Sequence, residues 1–164
     1  MTVRHRYRLV FPLLLLLVTG TASATLFLQD FSGKTKLIED YLDHEKWLIV
    51  MFWASDCHVC NQEAQAYIGF HEKNKATRAR VLGVSMDGTV KRAAAEAFIK
   101  RHQVSFPNLI GDPQAIATEY QLLSGRRWLG TPSFMIFSPD GQLRAAETGA
   151  VPVDVIERFI GQHR

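Results

Sequence analysis

"WLIVMFWASDCHVC", residues 47–60, contains a continuous apolar run and both cysteines of the chain. The run from Trp47 to Trp53 is long enough for a strand that is buried on both faces and too short for most helices. Cys57 and Cys60 follow this run and are separated by two residues. The stretch therefore predicts a central strand that delivers a cysteine pair to the beginning of the next element.

Strand and helix signals alternate along the rest of the chain. Apolar residues recur at spacings of three and four in the predicted helices, and short apolar runs mark the predicted strands. The last two strands flank Ser-Pro-Asp-Gly, which predicts a tight antiparallel hairpin. The elements predicted after Trp53 are a helix over 57–75, a strand over 81–86, a helix around 94–99, strands over 133–137 and 143–148, and a helix after Pro152 that buries Val155, Ile156, Phe159 and Ile160.

This order of elements predicts the fold class. A strand, a helix and another strand imply a right-handed parallel crossover, and the hairpin adds antiparallel strands. We therefore predict an α/β fold in which a central mixed β-sheet is covered by helices on both faces. At 164 residues and 47% hydrophobic content, the chain fits one domain with a sizeable core.

The first 24 residues have the plan of a secretory signal peptide. Three arginines precede the apolar run from Leu9 to Val18, which leads to Ala22-Ser23-Ala24. The run is about half of the roughly 20 apolar residues that a spanning helix needs. We predict cleavage after Ala24, which leaves a domain over 25–164 in the periplasm. The alternative is an uncleaved membrane anchor that holds the domain facing the periplasm.

The charge of the chain argues against a nucleic-acid function once this segment is set aside. Three of the 19 Lys and Arg residues lie in residues 1–24, and all 16 acidic residues follow them. Residues 25–164 therefore carry no formal net charge. Since no basic stripe remains, we expect no nucleic-acid partner.

The cysteine pair has three interpretations. Export favours a structural disulfide, but a bridge over two intervening residues removes little chain entropy. A metal site could use Cys57, His58 and Cys60, yet structural zinc sites need four ligands and the chain has no second cysteine pair. Copper(I) can be held by two thiolates, so a copper-binding metallochaperone module is the alternative function.

Redox chemistry is the third interpretation, and the position of the pair favours it. A buried strand delivers Cys57 to the first turn of a helix, where unpaired N–H groups and the helix dipole favour a thiolate. Cys57 is then the nucleophile, and Cys60 is placed to resolve a mixed disulfide. We expect Asp56 to raise and a protonated His58 to lower the pKa of Cys57, although Asp56 also suits a helix cap.

Several motifs resemble those of thioredoxin-fold proteins. The stretch from Phe52 to Cys60 resembles their FWA-x-W-C-x-x-C active site. Residues 83–87 (GVSMD), Phe106-Pro107 with Asp112, and residues 130–134 (GTPSF) are similar to segments of the exported thiol–disulfide oxidoreductases of the TlpA, ResA and CcmG group. The resemblance extends over roughly residues 25–162.

The resemblance implies a thioredoxin-like fold and a protein-disulfide reductase that needs no cofactor and no metal. It implies that Pro132 is in the cis form and that Trp53, Thr131 and Pro132 contact an extended substrate segment beside Cys57. The implied clients are exported cysteine-containing proteins, such as cytochrome c or its apoprotein. A membrane thiol-transfer protein would donate electrons, and we expect a monomer.

The sequence departs from the resemblance in ways that leave questions open. Met51 occupies the position of a buried aspartate in thioredoxin, so Cys60 needs another base or water for its proton. Residues 54–56 lack the threonine-containing pocket of thiol peroxidases, which argues against a peroxidase. His58 favours an oxidant whereas the TlpA-like body favours a reductant. We expect a reductant.

A long segment, residues 121–131, precedes the proline motif. It contains Arg126, Arg127 and Trp128, and exposed arginine and tryptophan beside a catalytic groove are suited to gripping a partner protein. The alternative is a solvated loop with Trp128 folded back onto the core.

Overall fold

The strand β3 (Trp47–Trp53) lies inside the sheet of the computed structural model, which describes residues 26–163. All seven residues of β3 are buried, and the strand pairs with a neighbour on each side. The other strands are β1 (Leu28–Asp30), β2 (Thr35–Lys36), β4 (Ala79–Ser85), β5 (Asn108–Ile110), β6 (Ser133–Phe137) and β7 (Leu143–Thr148). The helices are α1 (His58–Asn74), α2 (Arg92–His102), α3 (Pro113–Ser124) and α4 (Val153–Gln162).

The strands form one mixed sheet in the order β2-β1-β5-β4-β3-β6-β7. β4 runs parallel to β3 and β5 runs parallel to β4, whereas β6 is antiparallel to β3. The carboxyl ends of β3, β4 and β5 and the amino end of β6 therefore lie at the same edge of the sheet. We name it the upper edge. The residues that follow β3 and β4 and those that precede β6 meet there.

Helices cover both faces of the sheet, as the sequence predicted. Successive residues of a strand point to opposite faces, so the side chains of β3 alternate between two hydrophobic cores. The odd-numbered residues from Trp47 to Trp53 pack with residues of α1, α2 and α4. The even-numbered residues from Leu48 to Phe52 pack with residues of α3. β3 thus joins the two cores.

The predicted hairpin and helices are present, with one error in α4. β6 and β7 have the predicted bounds, and α1 begins one residue later than predicted because Cys57 is its cap. Ile156 and Ile160 are buried, but Val155 is 41% exposed, so the prediction that Val155 is buried was wrong. Consecutive helical residues are rotated by about 100°, which turns Val155 away from the face that Ile156 presents to the core.

The sequence pattern did not predict β1, β2, β5 and α3. β1 and β2 are very short and contain polar residues, so neither period-2 alternation nor an apolar run marks them. α3 begins at Pro113, and its N-cap Asp112 accepts a hydrogen bond from the Ala115 N–H at 2.8 Å. A capping aspartate followed by proline is a signal for the start of a helix, and this signal is present in the sequence.

The predicted signal peptide, residues 1–24, lies outside the described residues. Among residues 26–163, no helix has the length and the apolar content that crossing a membrane requires. Cleavage and the membrane-anchor alternative both concern the segment before Leu26, so both stay predictions.

His71 of α1 satisfies a backbone group of β4 where β5 is absent. β5 pairs with β4 only from Gly83 to Ser85, so Val81 lies beyond this ladder. The Val81 N–H donates to Nδ1 of His71 at 3.1 Å, which requires an unprotonated Nδ1. The His71 side chain is only 5% exposed, and burial lowers its pKa below the ordinary value of 6.5.

The free energy of unfolding should therefore fall as the pH drops below about 6.5. The unfolded chain protonates His71 near the ordinary pKa, whereas the folded chain does so only at lower pH, so the unfolded state binds more protons between the two values. The slope for this one group is at most about 1.4 kcal/mol per pH unit. Urea unfolding from about pH 8 to about pH 5 measures it.

His71→Asn is the matched control, because its side-chain oxygen can accept the same hydrogen bond but does not titrate. This variant should show a shallower dependence of unfolding free energy on pH than the natural protein. Equal slopes for the two proteins would contradict the assignment to His71.

Candidate active site

Cys57 caps the helix that contains Cys60. It is the N-cap residue of α1, and its Sγ accepts a hydrogen bond from the Cys60 N–H at 3.1 Å. The two cysteines form a disulfide, and their Cα atoms are 5.3 Å apart. Cys60 is fully buried and Cys57 is half-buried. Cys57 is therefore the cysteine that a large partner molecule can approach.

Asn61 fixes the turn that leads into α1. Its side-chain NH2 group donates to the carbonyl oxygens of Ser55 at 3.2 Å and Cys57 at 2.8 Å. Its Oδ1 accepts a hydrogen bond from Nη2 of Arg101 at 2.7 Å and lies 2.9 Å from Nε2 of His102. An amide oxygen only accepts, so the contact with His102 is a hydrogen bond in the tautomer whose Nε2 carries the proton. The end of α2 thus braces the turn through one side chain.

The two predicted tuning residues lie at the surface. Asp56 is exposed, and its Oδ2 lies 3.2 Å from Nζ of Lys91, which is also exposed. Asp56 does not cap α1, because Cys57 occupies the N-cap position, and that alternative is wrong. His58 is exposed in the first turn of α1. Solvent screening weakens the effect of exposed charges on a neighbouring group.

Trp53 lies beneath the site rather than on its surface. Its side chain is 1% exposed and stacks on Phe98 with ring centroids 4.3 Å apart. Its indole N–H donates to Oδ1 of Asn108 at 3.0 Å. Gly83 makes room for this contact, because a Cβ there would lie 2.8 Å from the indole nitrogen. A substrate therefore cannot touch the Trp53 side chain in this conformation, contrary to the predicted contact.

The predicted cis proline is present, since the Thr131–Pro132 peptide bond is cis. Phe52 pairs with Ser133, so the bond lies at the upper edge, next to the end of β3. Pro132 is buried and Thr131 is half-buried. The Pro132 carbonyl accepts a hydrogen bond from the Gly149 N–H at 2.8 Å. Fold and register thus bring this loop and Cys57 to one edge of the sheet.

Trp128 is folded back onto the core, which confirms the second interpretation of the long segment. Its ring contacts Phe52 and Tyr120 edge to face, with centroids 5.9 and 5.2 Å apart. Its backbone N–H donates to Oε1 of Gln121 at 3.0 Å. The next residue, Leu129, is 65% exposed. Leu129 is thus an exposed apolar side chain next to the proline motif, and Leu122 and Leu123 are exposed earlier in the same segment.

Glu63 is a further titratable group on the helix of the cysteines. It lies one turn after Cys60, on the side of α1 that also carries Tyr67. Its Oε2 is buried and has no hydrogen-bond partner among the described residues. Burial raises the pKa of this carboxyl above its ordinary value, and the pKa of Tyr67 is raised by burial and by the charge of Glu63. The signal in the sequence was an acidic residue three positions after Cys60, on a predicted apolar face.

Metal-ligating side chains are not gathered in the described part of the chain. Within residues 26–163, no group of three or more His, Cys, Asp and Glu side chains could hold a metal ion. Cys57, His58 and Cys60, the ligands of the copper alternative, do not form such a group.

The fold and the site define a class of protein, a thioredoxin-like domain with a Cys-X-X-Cys pair at the beginning of a helix. Three solved structures with this fold illustrate the class. A thioredoxin-family thiol:disulfide interchange protein from Chlorobium tepidum superposes with a TM-score of 0.68 at 16% identity, covering 84% of this chain and 92% of that one. A secreted disulfide oxidoreductase of Mycobacterium tuberculosis, homologous to E. coli DsbE, gives a TM-score of 0.66 at 19% identity, with 84% and 96% covered. An exposed lipoprotein thioredoxin of Streptococcus pneumoniae gives 0.65 at 22% identity, with 85% and 99% covered.

The sequence assigns the family within this class. The chain belongs to the AhpC/TSA family, whose model matches residues 19–146. No curated protein matches the chain in sequence. The family match and the superpositions confirm the predicted thioredoxin-like fold.

Proposed function

We propose that this protein is a periplasmic thiol–disulfide oxidoreductase that reduces disulfides in exported proteins. The observation that carries the proposal is the Cys57–Cys60 disulfide at the start of α1, with one sulfur approachable and the other buried. The cis-proline loop lies at the same edge of the sheet as the end of β3, which supports the proposal that a client binds there. Cys57 and Cys60 are the proposed catalytic residues.

In the first step, the dithiol form of the protein attacks a client disulfide. The Cys57 thiolate bonds to one client sulfur, the client S–S bond breaks, and the second client sulfur leaves as a thiolate that takes up a proton. The N-terminus of α1 and the Cys60 N–H stabilise the Cys57 thiolate before the attack. The product is a mixed disulfide between Cys57 and the client.

In the second step, Cys60 releases the client. Its thiolate attacks Sγ of Cys57, the bond between Cys57 and the client breaks, and the client sulfur leaves as a thiolate that takes up a proton. Two electrons have then passed to the client, and the protein is left with the Cys57–Cys60 disulfide. Cys60 is buried, so a bulky partner reaches it only through Cys57.

Glu63 is the proposed proton acceptor for Cys60. The buried Met51 side chain, in the core that contains Cys60, cannot exchange a proton. Glu63 lies one helical turn from Cys60, and its buried oxygen has no hydrogen-bond partner among the described residues. Its raised pKa is closer to the pKa of a thiol than that of an ordinary carboxyl is, which favours proton exchange between the two groups.

The client is proposed to bind in an extended form along the loop that contains Thr131 and Pro132. Pro132 is buried, so its contribution to binding is through the backbone and the rim of the ring. Leu129 and Arg127 are exposed on the same loop and offer an apolar and a positively charged contact.

Location and electron supply follow from export. The predicted signal peptide would deliver the domain to the periplasm, where client disulfides form. Each reduction leaves the protein oxidised, so a membrane thiol-transfer protein is the proposed donor that restores the dithiol. Exported cysteine proteins, including apocytochrome c, are the proposed clients.

Cys60→Ser should accumulate covalent mixed disulfides with client proteins, because the second step has no attacking thiolate. Purification from the native compartment under non-reducing conditions, followed by reduction, measures the captured partners. Cys57→Ser is the control and should capture none, since its remaining thiol is buried. Equal capture by both variants, or none by Cys60→Ser, would contradict the proposed roles.

The reduction potential of the Cys57–Cys60 couple should lie near or below roughly −250 mV, in the range of thioredoxin. Equilibration with glutathione buffers and trapping of free thiols measures it. His58→Gln removes a group able to stabilise the thiolate. The reduction potential of this variant should be equal to or lower than that of the natural protein. A value near about −120 mV would identify a disulfide donor instead.

Glu63→Gln should slow the second step by about 100-fold near pH 7, because the proton of Cys60 loses its acceptor. Stopped-flow decay of a mixed disulfide between Cys57 and a small thiol measures this rate against pH. Glu72→Gln, an exposed position on the same helix, should leave the rate unchanged. A Glu63→Gln rate and pH profile like those of the natural protein would exclude Glu63 from proton transfer.

A further inference from the structure

Asp87 is a buried carboxylate at the upper edge, on the loop that follows β4. It is 8% exposed and accepts hydrogen bonds from three groups. The donors are the Ser55 N–H at 3.0 Å, the Ser55 hydroxyl at 2.8 Å and the Ser85 hydroxyl at 2.9 Å. A carboxylate that only accepts is suited to this set of partners.

Asp87 takes part in none of the ion pairs of residues 26–163. A buried charge without a counter-ion is unfavourable, and the three hydrogen bonds compensate only part of the lost hydration. A neutral amide could accept from the same backbone N–H at a lower desolvation cost. The presence of a charged group therefore raises the question of what its charge does at this edge.

The partner of Asp87 is the loop that leads to Cys57. Ser55 gives its N–H and its hydroxyl to Asp87, and its carbonyl accepts from Asn61. All three polar groups of Ser55 are thus bonded to elements on either side of the loop. Cys57 is two residues further along, which limits the distance between the Cα atoms of Ser55 and Cys57 to about 7 Å.

We propose that Asp87 is a positioning residue that fixes the loop before Cys57, and that its negative charge makes the Cys57–Cys60 disulfide harder to reduce. Reduction adds two electrons and one proton to the disulfide and leaves one thiolate and one thiol. A buried negative charge close to the new thiolate disfavours this form, so the disulfide is favoured and the dithiol is a stronger reductant. The inference rests on the proposed function, because a dithiol that is a stronger reductant is better able to reduce client disulfides.

Other charges near Cys57 are less able to set this balance. Asp56 and Lys91 are both exposed and lie 3.2 Å apart, so they largely cancel. His58 is exposed to solvent. Arg101 is bonded to Asn61 at the surface. Asp87 lies in the less polar interior, where the effective dielectric constant is lower and a charge acts more strongly.

Asp87→Asn tests the charge with little change in shape. The amide oxygen can still accept from Ser55, and the two serine hydroxyls can rotate to accept from the amide NH2. We expect the equilibrium constant against glutathione to move about tenfold toward the dithiol, which corresponds to about 30 mV. We also expect the pKa of Cys57, from thiolate absorbance against pH, to fall. Unchanged values, or shifts of opposite sign, would overturn the role of the charge.

Asp56→Asn is the matched control, because it removes a negative charge adjacent to Cys57 that is exposed and paired. The equilibrium constant of this variant against glutathione should change by less than about twofold. An Asp56→Asn effect equal to that of Asp87→Asn would mean that burial of the charge does not matter and would overturn the proposal.

Hydrogen exchange of the Ser55 amide in the natural protein tests the positioning role independently of how the variants fold. This N–H lies outside every helix and strand, yet it should exchange slowly in both the disulfide and the dithiol forms because Asp87 holds it. Rapid exchange in either form would overturn the positioning role. Neither the redox equilibrium nor the amide exchange requires a client. The absence of a trapped client would therefore refute the proposed function without affecting the role of Asp87.

Discussion

β3 contributes side chains to both hydrophobic cores and pairs with a strand on each side. These contacts fix the position of its carboxyl end at the upper edge, and with it the turn that leads to Cys57. A shift of its register by one residue would send the odd-numbered side chains into the core that the even-numbered ones occupy, so the strand cannot slide. Its carboxyl end therefore has one position. The turn to Cys57 follows within four residues, braced by Asn61 on one side and by Asp87 on the other. The site is thus precise because it is attached to the least adjustable part of the sheet.

Local patterns in the sequence were sufficient for β3 and for the hairpin of β6 and β7. The apolar run of β3 and the Ser-Pro-Asp-Gly hairpin between β6 and β7 carry their own signals, and both were predicted with the correct bounds. β1 and β2 are held by strand pairing rather than by an apolar pattern, so no periodicity marks them. Val155 shows the limit of helical periodicity, which gives the direction of the buried face but not its width.

The site was predictable only where residue type and spacing determine chemistry. The spacing of Cys57 and Cys60 and the motif around Pro132 belong to this group. Glu63 and Asp87 do not, because an acidic side chain in a sequence is usually solvated. Only the packing of α1 buries one carboxyl oxygen of Glu63, and only the loop after β4 buries the side chain of Asp87. For Trp53 the sequence predicted too much exposure. A tryptophan before a reactive cysteine suggests a contact with substrate, but Phe98 and Asn108 contact this side chain in the interior.

One sulfur atom has two duties in this fold, because Sγ of Cys57 is both the reactive atom and the group that satisfies the Cys60 N–H at the start of the longest helix described. A thiolate accepts such a hydrogen bond more strongly than a disulfide sulfur does. Folding and reduction form a thermodynamic cycle. Any difference between the disulfide and dithiol forms in the free energy of capping α1 therefore changes the free energy of reduction by the same amount. A change along α1 that weakens its first turn more in one redox form than in the other therefore also changes how readily the protein gives up electrons.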